Sequence, residues 1–143
     1  GRRFLGIRYR AKNGSKFAAK GSKQGLFVPE SFTRSRGVMV CEGPTDTAAM
    51  LGLGFNAIGR PSCNSGNRLI QEITRGLPVA ILSDTDKVGR SGALQLQKTL
   101  RRAGTKSALV IEPGTGKDAR DWVANGVTRS EVMETIAEAK RAG

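Results

Sequence analysis

The chain has 143 residues, no histidine and two cysteines, and its 24 Lys and Arg residues against 12 Asp and Glu residues give a net charge of +12. This length is typical of one domain with a real hydrophobic core, while the composition excludes His-based catalytic triads and leaves too few ligands for a usual zinc site. Because no apolar stretch has membrane-spanning length and no charged-then-apolar leader opens the chain, we expect a cytoplasmic protein without a membrane partner.

The positive charge is concentrated at the start of the chain. Ten of the basic residues precede residue 42, and the only acidic residue in that part is Glu30. A run of like charge is often only a solvated surface. The lack of acids before Glu30 instead favours a polyanionic partner whose phosphates the cations contact, with binding that weakens as salt rises. We therefore predict nucleic-acid contacts for four basic residues: Arg8, Arg10, Lys16 and Lys20.

The first elements in chain order predict a small antiparallel β extension. Residues 4–10 alternate loosely between apolar and polar, as in a strand, and Asn13-Gly14 is a hairpin turn signal because both residues tolerate positive φ. A second strand is expected over 16–19 and a third around 26–28, which Pro29 ends.

The remainder of the chain alternates strands with helices. Short β-branched runs predict strands buried on both faces of a parallel sheet, and apolar residues recur at helical spacing between them. We therefore predict an α/β, Rossmann-like fold with about four parallel strands and helices on both faces. The predicted strands cover 38–41, 56–59, 79–82 and 107–111, and the predicted helices cover 45–53, 65–75, 89–103, 118–124 and 128–142.

This pattern divides the chain into a basic, β-rich N-terminal extension over 1–36 and a main domain over 37–143. Because the chain opens on Gly1 rather than Met, we expect it to be a fragment of a longer polypeptide. Cys41 lies in a predicted core strand, where a free thiol packs as a small hydrophobe. Trp122 is interpreted as a core or anchor residue, and Thr128-x-x-Glu131 predicts a capping box for the last helix.

Two acidic clusters come directly after predicted parallel strands. Glu42 and Asp46 follow the first of these strands, and Asp84 and Asp86 follow the third. In parallel sheets, ligands bind beyond the carboxyl ends of the strands. Carboxylates crowded at that edge repel each other unless a cation neutralises them, and Mg²⁺ is the usual ion beside phosphates. The sequence therefore predicts a magnesium site there, with Mn²⁺ as a possible substitute.

Each cluster also has a structural interpretation. The dipole of a following helix stabilises carboxylates such as Glu42 and Asp46, and Asp84 and Asp86 belong to a residue type that favours turns. An Asp-x-Asp pair also opens haloacid-dehalogenase phosphatases. There it follows the first strand and has a Thr two residues on, where this chain has Val88, so we set that family aside.

Three motifs in the same order resemble the TOPRIM domain, the catalytic module of bacterial-type primases, topoisomerases and some nucleases. The first is Glu42-Gly43-Pro44-Thr45-Asp46, and the second is Asp84-Thr85-Asp86. A continuation as Lys87-Val88-Gly89-Arg90 and a later Lys117-Asp118-Ala119-Arg120-Asp121-Trp122 segment are most similar to bacterial, phage and plasmid DNA primases and primase–helicases. The resemblance covers about residues 37–126, so residues 37–143 are interpreted as a TOPRIM domain.

The resemblance implies Mg²⁺-dependent nucleotidyl transfer that synthesises RNA primers on single-stranded DNA. Asp84 and Asp86 would hold the metal, Glu42 would be a ligand or the general base, and Asp118 is a candidate for another metal. The residues implied at the substrate and its phosphates are Asp46, Lys87, Arg90 and Lys117. The implied partners are single-stranded DNA, an RNA primer, nucleoside triphosphates and further helicase or zinc-binding domains of the same polypeptide.

Two other function classes stay open at this point. A TOPRIM nuclease would use the same acids with water as the nucleophile, and a non-catalytic nucleic-acid-binding module would leave the chemistry to partner domains. The third motif leaves open whether Asp118 or Asp121 faces the metal.

Overall fold

The computed structural model describes residues 3–143, which form a two-stranded antiparallel ribbon and a four-stranded parallel sheet flanked by helices. The elements in chain order are β1 (Arg8–Arg10), β2 (Lys16–Ala18), β3 (Val38–Glu42), α1 (Gly43–Gly52), β4 (Ala57–Arg60), α2 (Asn67–Ile73), β5 (Val79–Leu82), α3 (Lys87–Arg102), β6 (Ala108–Ile111), α4 (Ala119–Ala124) and α5 (Arg129–Ala142).

The order of strands in the parallel sheet is β4-β3-β5-β6. From β3 the chain crosses to β4 on one side and then returns to β5 on the other side of β3. This reversal makes the carboxyl ends of β3 and β5 the topological switch point, where α/β sheets form their ligand crevice.

Both faces of the parallel sheet are covered, as predicted. On one face Val40, Ile58 and Ile81 pack with residues of α2 and α3, including Ile70 and Leu96. On the other face the sheet packs against α1, α4 and α5, with a core that includes Met39, Cys41, Met50, Trp122 and Val132. Alternate side chains of each strand enter opposite cores, which explains why the strands read as continuous apolar runs. Cys41 and Trp122 are core residues, as predicted.

The N-terminal extension has less strand than predicted. Residues 5–7 lie beside 19–23, but the hydroxyl of Ser22 accepts from the Ile7 N–H, so a side chain replaces part of the ladder. The prediction of a strand over 4–10 is therefore wrong for its first half. Around 26–28 the structure has a single antiparallel bridge instead of a strand, in which Phe27 and Gly59 exchange N–H···O bonds of 2.8 and 2.9 Å.

The second half of the predicted extension is attached to the parallel sheet. Leu26, Val28 and Phe32 pack against the core that contains α2 and α3. The Arg34 guanidinium donates to the carbonyl oxygens of Ile73 and Arg75. The boundary proposed at residue 36 stays a prediction.

Helix starts differ from the predictions for local reasons. Pro44 in the first turn suits α1, which begins at Gly43, two residues before the predicted start. Gly66 has φ of 80° at the N-cap of α2, so this helix begins at Asn67 and not at residue 65. Asp86 caps α3, which therefore begins at Lys87. The predicted capping box of α5 is present.

The leucines of α3 are not all buried. Leu96 and Leu100 are fully buried, whereas Leu94 is 49% exposed. Within residues 3–143, no helix combines the length and apolar character needed to cross a bilayer.

Replacement of Gly92 by alanine tests the close packing of α3. A Cβ at Gly92 would collide with the carbonyl group of Cys63. We expect Gly92→Ala to lower the free energy of unfolding by about 1–3 kcal/mol, as measured by urea denaturation. The matched control is Gly52→Ala in α1, where the space around a Cβ is open. There we expect no loss, or a gain of up to about 1 kcal/mol; equal losses in the two variants would contradict the packing argument.

Candidate functional site

The acidic residues meet at the switch point of the sheet. Glu42 is the last residue of β3 and the N-cap of α1, and Asp84 lies two residues beyond the end of β5. Gly43 has φ of 74°, a left-handed conformation that turns the chain directly from the strand into the helix. Parallel neighbouring strands thus place the first and second acidic motifs at one edge, as predicted.

Among the acidic residues at this edge, Asp84 has the most strongly raised pKa. Burial raises its pKa from 3.8 to about 7, and the negative charges of Glu42, Asp46, Asp118 and Asp86 contribute in that order. The first turn of α3 lies close to it, since a Cβ on Gly89 would be 2.9 Å from the Asp84 Cβ. The acids of all three motifs therefore act electrostatically on one carboxylate.

Asp46 is buried one turn into α1, with 6% of its surface exposed. Burial and the charge of Asp118 raise its pKa to about 6, although Arg120 acts in the opposite direction. The Arg120 Nε lies 3.3 Å from Asp46 Oδ1, but this buried oxygen accepts no hydrogen bond among the described residues. Asp46 therefore has a nearby cation without the geometry of a hydrogen bond, and its contact with substrate stays a prediction.

Asp118 uses both of its carboxylate oxygens within the protein. Its Oδ1 accepts from the Asp121 N–H at 2.9 Å and caps α4, and its Oδ2 accepts from Arg120 Nη2 at 3.0 Å. Burial raises the pKa of Asp118, but these two hydrogen bonds outweigh it, so the net pKa lies below the ordinary value. Asp121 accepts from the Lys117 N–H at 3.2 Å.

The second motif is tied to the third by backbone contacts. Asp86 caps α3, since its Oδ1 accepts from the Gly89 N–H at 2.6 Å. The Thr85 N–H donates to the Lys117 carbonyl oxygen at 3.0 Å. The segment that contains Lys117 and the second acidic motif are therefore neighbours at the same edge.

The predicted phosphate-binding cations lie around this edge. Lys87 and Lys117 are exposed, and Lys87 is the first residue of α3. Arg90 forms a two-point ion pair with Glu112, with distances of 2.6 Å from Nε to Oε1 and 3.0 Å from Nη2 to Oε2. A phosphate at Arg90 would have to replace or share this partner.

The four cations that we predicted to bind nucleic acid lie on or next to the antiparallel ribbon of β1 and β2. Arg8 and Arg10 belong to β1, Lys16 belongs to β2, and Lys20 follows β2. All four are exposed. The structure therefore separates this basic group from the acidic edge by placing it on the ribbon.

Two arginines of the site were missed by the sequence analysis. Arg60 ends β4 beside Glu42 in the strand register and is 2% exposed, with its Nη1 3.5 Å from the Gly92 carbonyl oxygen. Burial lowers its pKa, and the charges of Glu42 and Asp84 partly offset this effect. The rule that placed Glu42 at the sheet edge applies equally to Arg60. The contact of Arg120 with Asp46 had no such signal, because Asp46 lies in a separate helix, α1.

The donor set fits a hard divalent cation only in part. Carboxylate oxygens are suitable ligands for Mg²⁺, and Asp84 with a raised pKa is the group that a cation would return to its charged form. Among residues 3–143, however, no three acidic or cysteine side chains form a ready-made metal-binding group. The arrangement fits an ion held by one or two carboxylates together with substrate phosphates, which is the common mode for Mg²⁺.

The raised pKa values make a pH-dependent prediction for the metal-free protein. Asp84 and Asp46 bind protons more tightly when folded than when unfolded, so their contribution to stability is full below about pH 4 and is lost as pH rises to about 7. We expect Asp84→Asn to reduce the fall in Tm over this window, measured in EDTA. Glu134→Gln, at an exposed acid on α5, is the control and should retain the wild-type fall. Parallel curves for all three proteins would contradict the assignment.

Comparison with known proteins gives matches at the level of structure alone. No family model and no curated protein matches the sequence. One similar structure is that of bacteriophage T7 lagging-strand DNA polymerase interacting with primase domains of two gp4 subunits, bound to an RNA/DNA hybrid and dTTP. The matching chain has a TM-score of 0.75 and 18% identity, over 92% of this chain and 69% of that one.

Two further structures show the same likeness. The Aquifex aeolicus primase, comprising zinc-binding and RNA polymerase domains, has a TM-score of 0.69 and 17% identity over 96% of this chain and 37% of that one. The DnaG primase catalytic domain bound to single-stranded DNA has a TM-score of 0.63 and 18% identity over 89% of this chain and 44% of that one. The chain thus spans less than half of these two chains, and it has the TOPRIM-type α/β fold of the catalytic cores of DNA primases.

Proposed function

We propose that this domain catalyses Mg²⁺-dependent nucleotidyl transfer, extending an RNA primer on a single-stranded DNA template. The observation that carries the proposal is Asp84, whose pKa of about 7 reflects burial beside the acids of three motifs at the switch point. Perturbed carboxylates in such a crevice are typical of catalytic sites. The fold shared with primase cores favours primer synthesis over other phosphoryl-transfer reactions.

Asp84 and Asp86 would hold the ion, with Glu42 beside them and substrate phosphates completing the ligand set, and the bound ion would supply charge neutralisation. Asp86 can contribute while it caps α3, because the cap uses only its Oδ1. Asp118 is a weaker candidate, since both of its oxygens accept hydrogen bonds from protein donors. To bind a cation, Asp118 would have to give up Arg120.

Glu42 is the proposed acceptor for the proton of the attacking 3′-hydroxyl. It lies at the end of the inner strand β3, beside Arg60 in the strand register. The new bond joins the 3′-oxygen to the α-phosphorus, and pyrophosphate leaves with its electron pair. Lys87, Lys117 and Arg90 would contact the phosphates, which requires Arg90 to exchange or share Glu112.

The complete reaction belongs to a longer polypeptide in this proposal. Similar structures contain zinc-binding domains, single-stranded DNA, or an RNA/DNA hybrid with dTTP. We propose the same classes of partner here, namely a DNA template, an RNA primer, nucleoside triphosphates and an attached zinc-binding or helicase domain.

The metal assignment predicts a stability gain from ion binding to the folded state. Mg²⁺ or Mn²⁺ should raise Tm by mass action in the wild type, and the double change Asp84→Asn with Asp86→Asn should abolish this gain. The control Glu134→Gln removes an exposed acid on α5 and should keep the wild-type response. If the double variant gains as much Tm as the wild type, the ligand assignment is wrong.

The role of Glu42 is tested with Glu42→Gln in the full-length protein, which keeps the shape of the side chain and removes its charge. Binding of single-stranded DNA should persist, while primer synthesis falls by about two to four orders of magnitude, as for loss of a general base. Wild-type synthesis in the variant would make Glu42 a structural residue. If the wild type instead cuts DNA with Mn²⁺ and makes no primers, the domain is a nuclease; DNA binding without either activity would make it a binding module.

A further inference from the structure

The ribbon of β1 and β2 is unusual because it buries neither face against the rest of the protein. All of its residues are exposed. Isolated two-stranded hairpins are marginally stable in water, so a ribbon with both faces exposed gains little from its own core.

The two faces of the ribbon differ in chemistry. Tyr9 and Phe17 are register partners with ring centroids 5.4 Å apart and an interplanar angle of 32°. They remain 48% and 54% exposed, respectively. Because side chains alternate along a strand, the neighbouring Arg8, Arg10 and Lys16 point to the opposite face. One side of the ribbon is thus aromatic and the other side is cationic.

A purely structural role explains only part of this arrangement. A cross-strand aromatic pair does stabilise a hairpin. A further apolar residue, Ile7, lies just before β1 and is 57% exposed. Exposed apolar rings beside concentrated charge are typical of a binding surface and not of a solvated hairpin.

The charge of residues 3–29 indicates which class of partner binds the ribbon. Residues 3–29 contain seven basic residues and no acidic residue: Arg3, Arg8, Arg10, Lys12, Lys16, Lys20 and Lys23. A complementary ligand must offer regularly spaced negative charge together with flat apolar rings. Single-stranded nucleic acid offers both, since its phosphates pair with cations and its bases stack on aromatic side chains.

A groove lies between the base of this ribbon and α1. One wall is formed by residues of the extension, including Ile7, Arg8 and Ala18, and the other by residues of α1, including Pro44 and Thr47.

We propose that Tyr9 and Phe17 form a stacking platform for bases of single-stranded nucleic acid. Arg8, Arg10 and Lys16 on the other face then contact phosphates of the same strand where it passes around the edge of the ribbon. The inference rests on the proposed function for the identity of the strand as template. Stacking is sequence-tolerant because every base has a π-face, so the platform would hold the template without reading it.

The test distinguishes contacts with bases from contacts with phosphates. It uses two fluorescently labelled strands of equal length, oligo-dT and an abasic strand. The double change Tyr9→Leu with Phe17→Leu keeps apolar bulk and removes the rings. It should weaken binding of oligo-dT by at least about fivefold and leave binding of the abasic strand unchanged. The slope of log affinity against log salt should also stay at the wild-type value, because no phosphate contact is lost.

Two matched variants complete the design. Arg8→Gln with Lys16→Gln should weaken binding of both strands and flatten the salt slope. Tyr9→Phe keeps the ring and should retain wild-type affinity, which distinguishes loss of stacking from loss of the ribbon. Fluorescence of the buried Trp122 and far-UV circular dichroism check that the core of each variant is intact.

Equal weakening of both strands in the leucine variant, or no weakening of either, would overturn the proposal. Loss of binding to vesicles of anionic lipid with unchanged DNA binding would also overturn it and assign the surface to a membrane. Primer synthesis by the Glu42→Gln variant is measured alongside these binding experiments, so that the proposed mechanism and the stacking inference are tested separately. If Glu42→Gln makes primers normally while the platform result holds, the proposed mechanism fails and the stacking inference stands.

Discussion

The arrangement of this domain depends on the repulsion among carboxylates at the carboxyl ends of β3 and β5. Glu42, Asp46 and Asp118 all act on Asp84, and burial keeps water from screening them. A fold that gathered these charges without compensation would lose stability as they ionise. Burial is the largest cause of the raised pKa values of Asp84 and Asp46, and the neighbouring carboxylates raise them further.

Part of the compensation comes from helix starts. α1, α3 and α4 all begin at this edge, and an acidic residue of a motif precedes each of them: Glu42, Asp86 and Asp118, respectively. The side chains of Asp86 and Asp118 accept capping hydrogen bonds, whereas that of Glu42 does not. The positive end of a helix dipole favours a nearby carboxylate. The structural and functional interpretations of these acids are therefore compatible, because a capping carboxylate at a switch point also faces the crevice.

The remaining compensation comes from two arginines, of which Arg60 is buried and Arg120 is exposed. Arg60 reaches the edge from the outer strand β4, and Arg120 joins Asp118 of the third motif to Asp46 of the first. An arginine stays charged throughout the physiological pH range, so it provides a permanent positive charge at this edge. The ribbon also separates two kinds of side chain, with cations on one face and aromatic rings on the other.

The sequence by itself determined the layout of the domain. β-branched runs located β3, β4, β5 and β6 to within about a residue, and the rule that parallel strands end at one edge placed the acids of the first two motifs together. The capping box of α5 and the core positions of Cys41 and Trp122 were also predictable, since each depends on local pattern or on residue type.

Only the tertiary structure decided how the acids are used. The contact of Arg120 with Asp46 joins α4 to α1, and the bridge of Phe27 with Gly59 fixes the extension on β4; neither pairing follows from local spacing. Packing sets the side-chain rotamers of Asp86 and Asp118, and these rotamers decide which carboxylate oxygen accepts the capping hydrogen bond. The exposure of Tyr9 and Phe17 likewise depends on where the ribbon lies, because alternation in a strand predicts two faces but not which of them is covered.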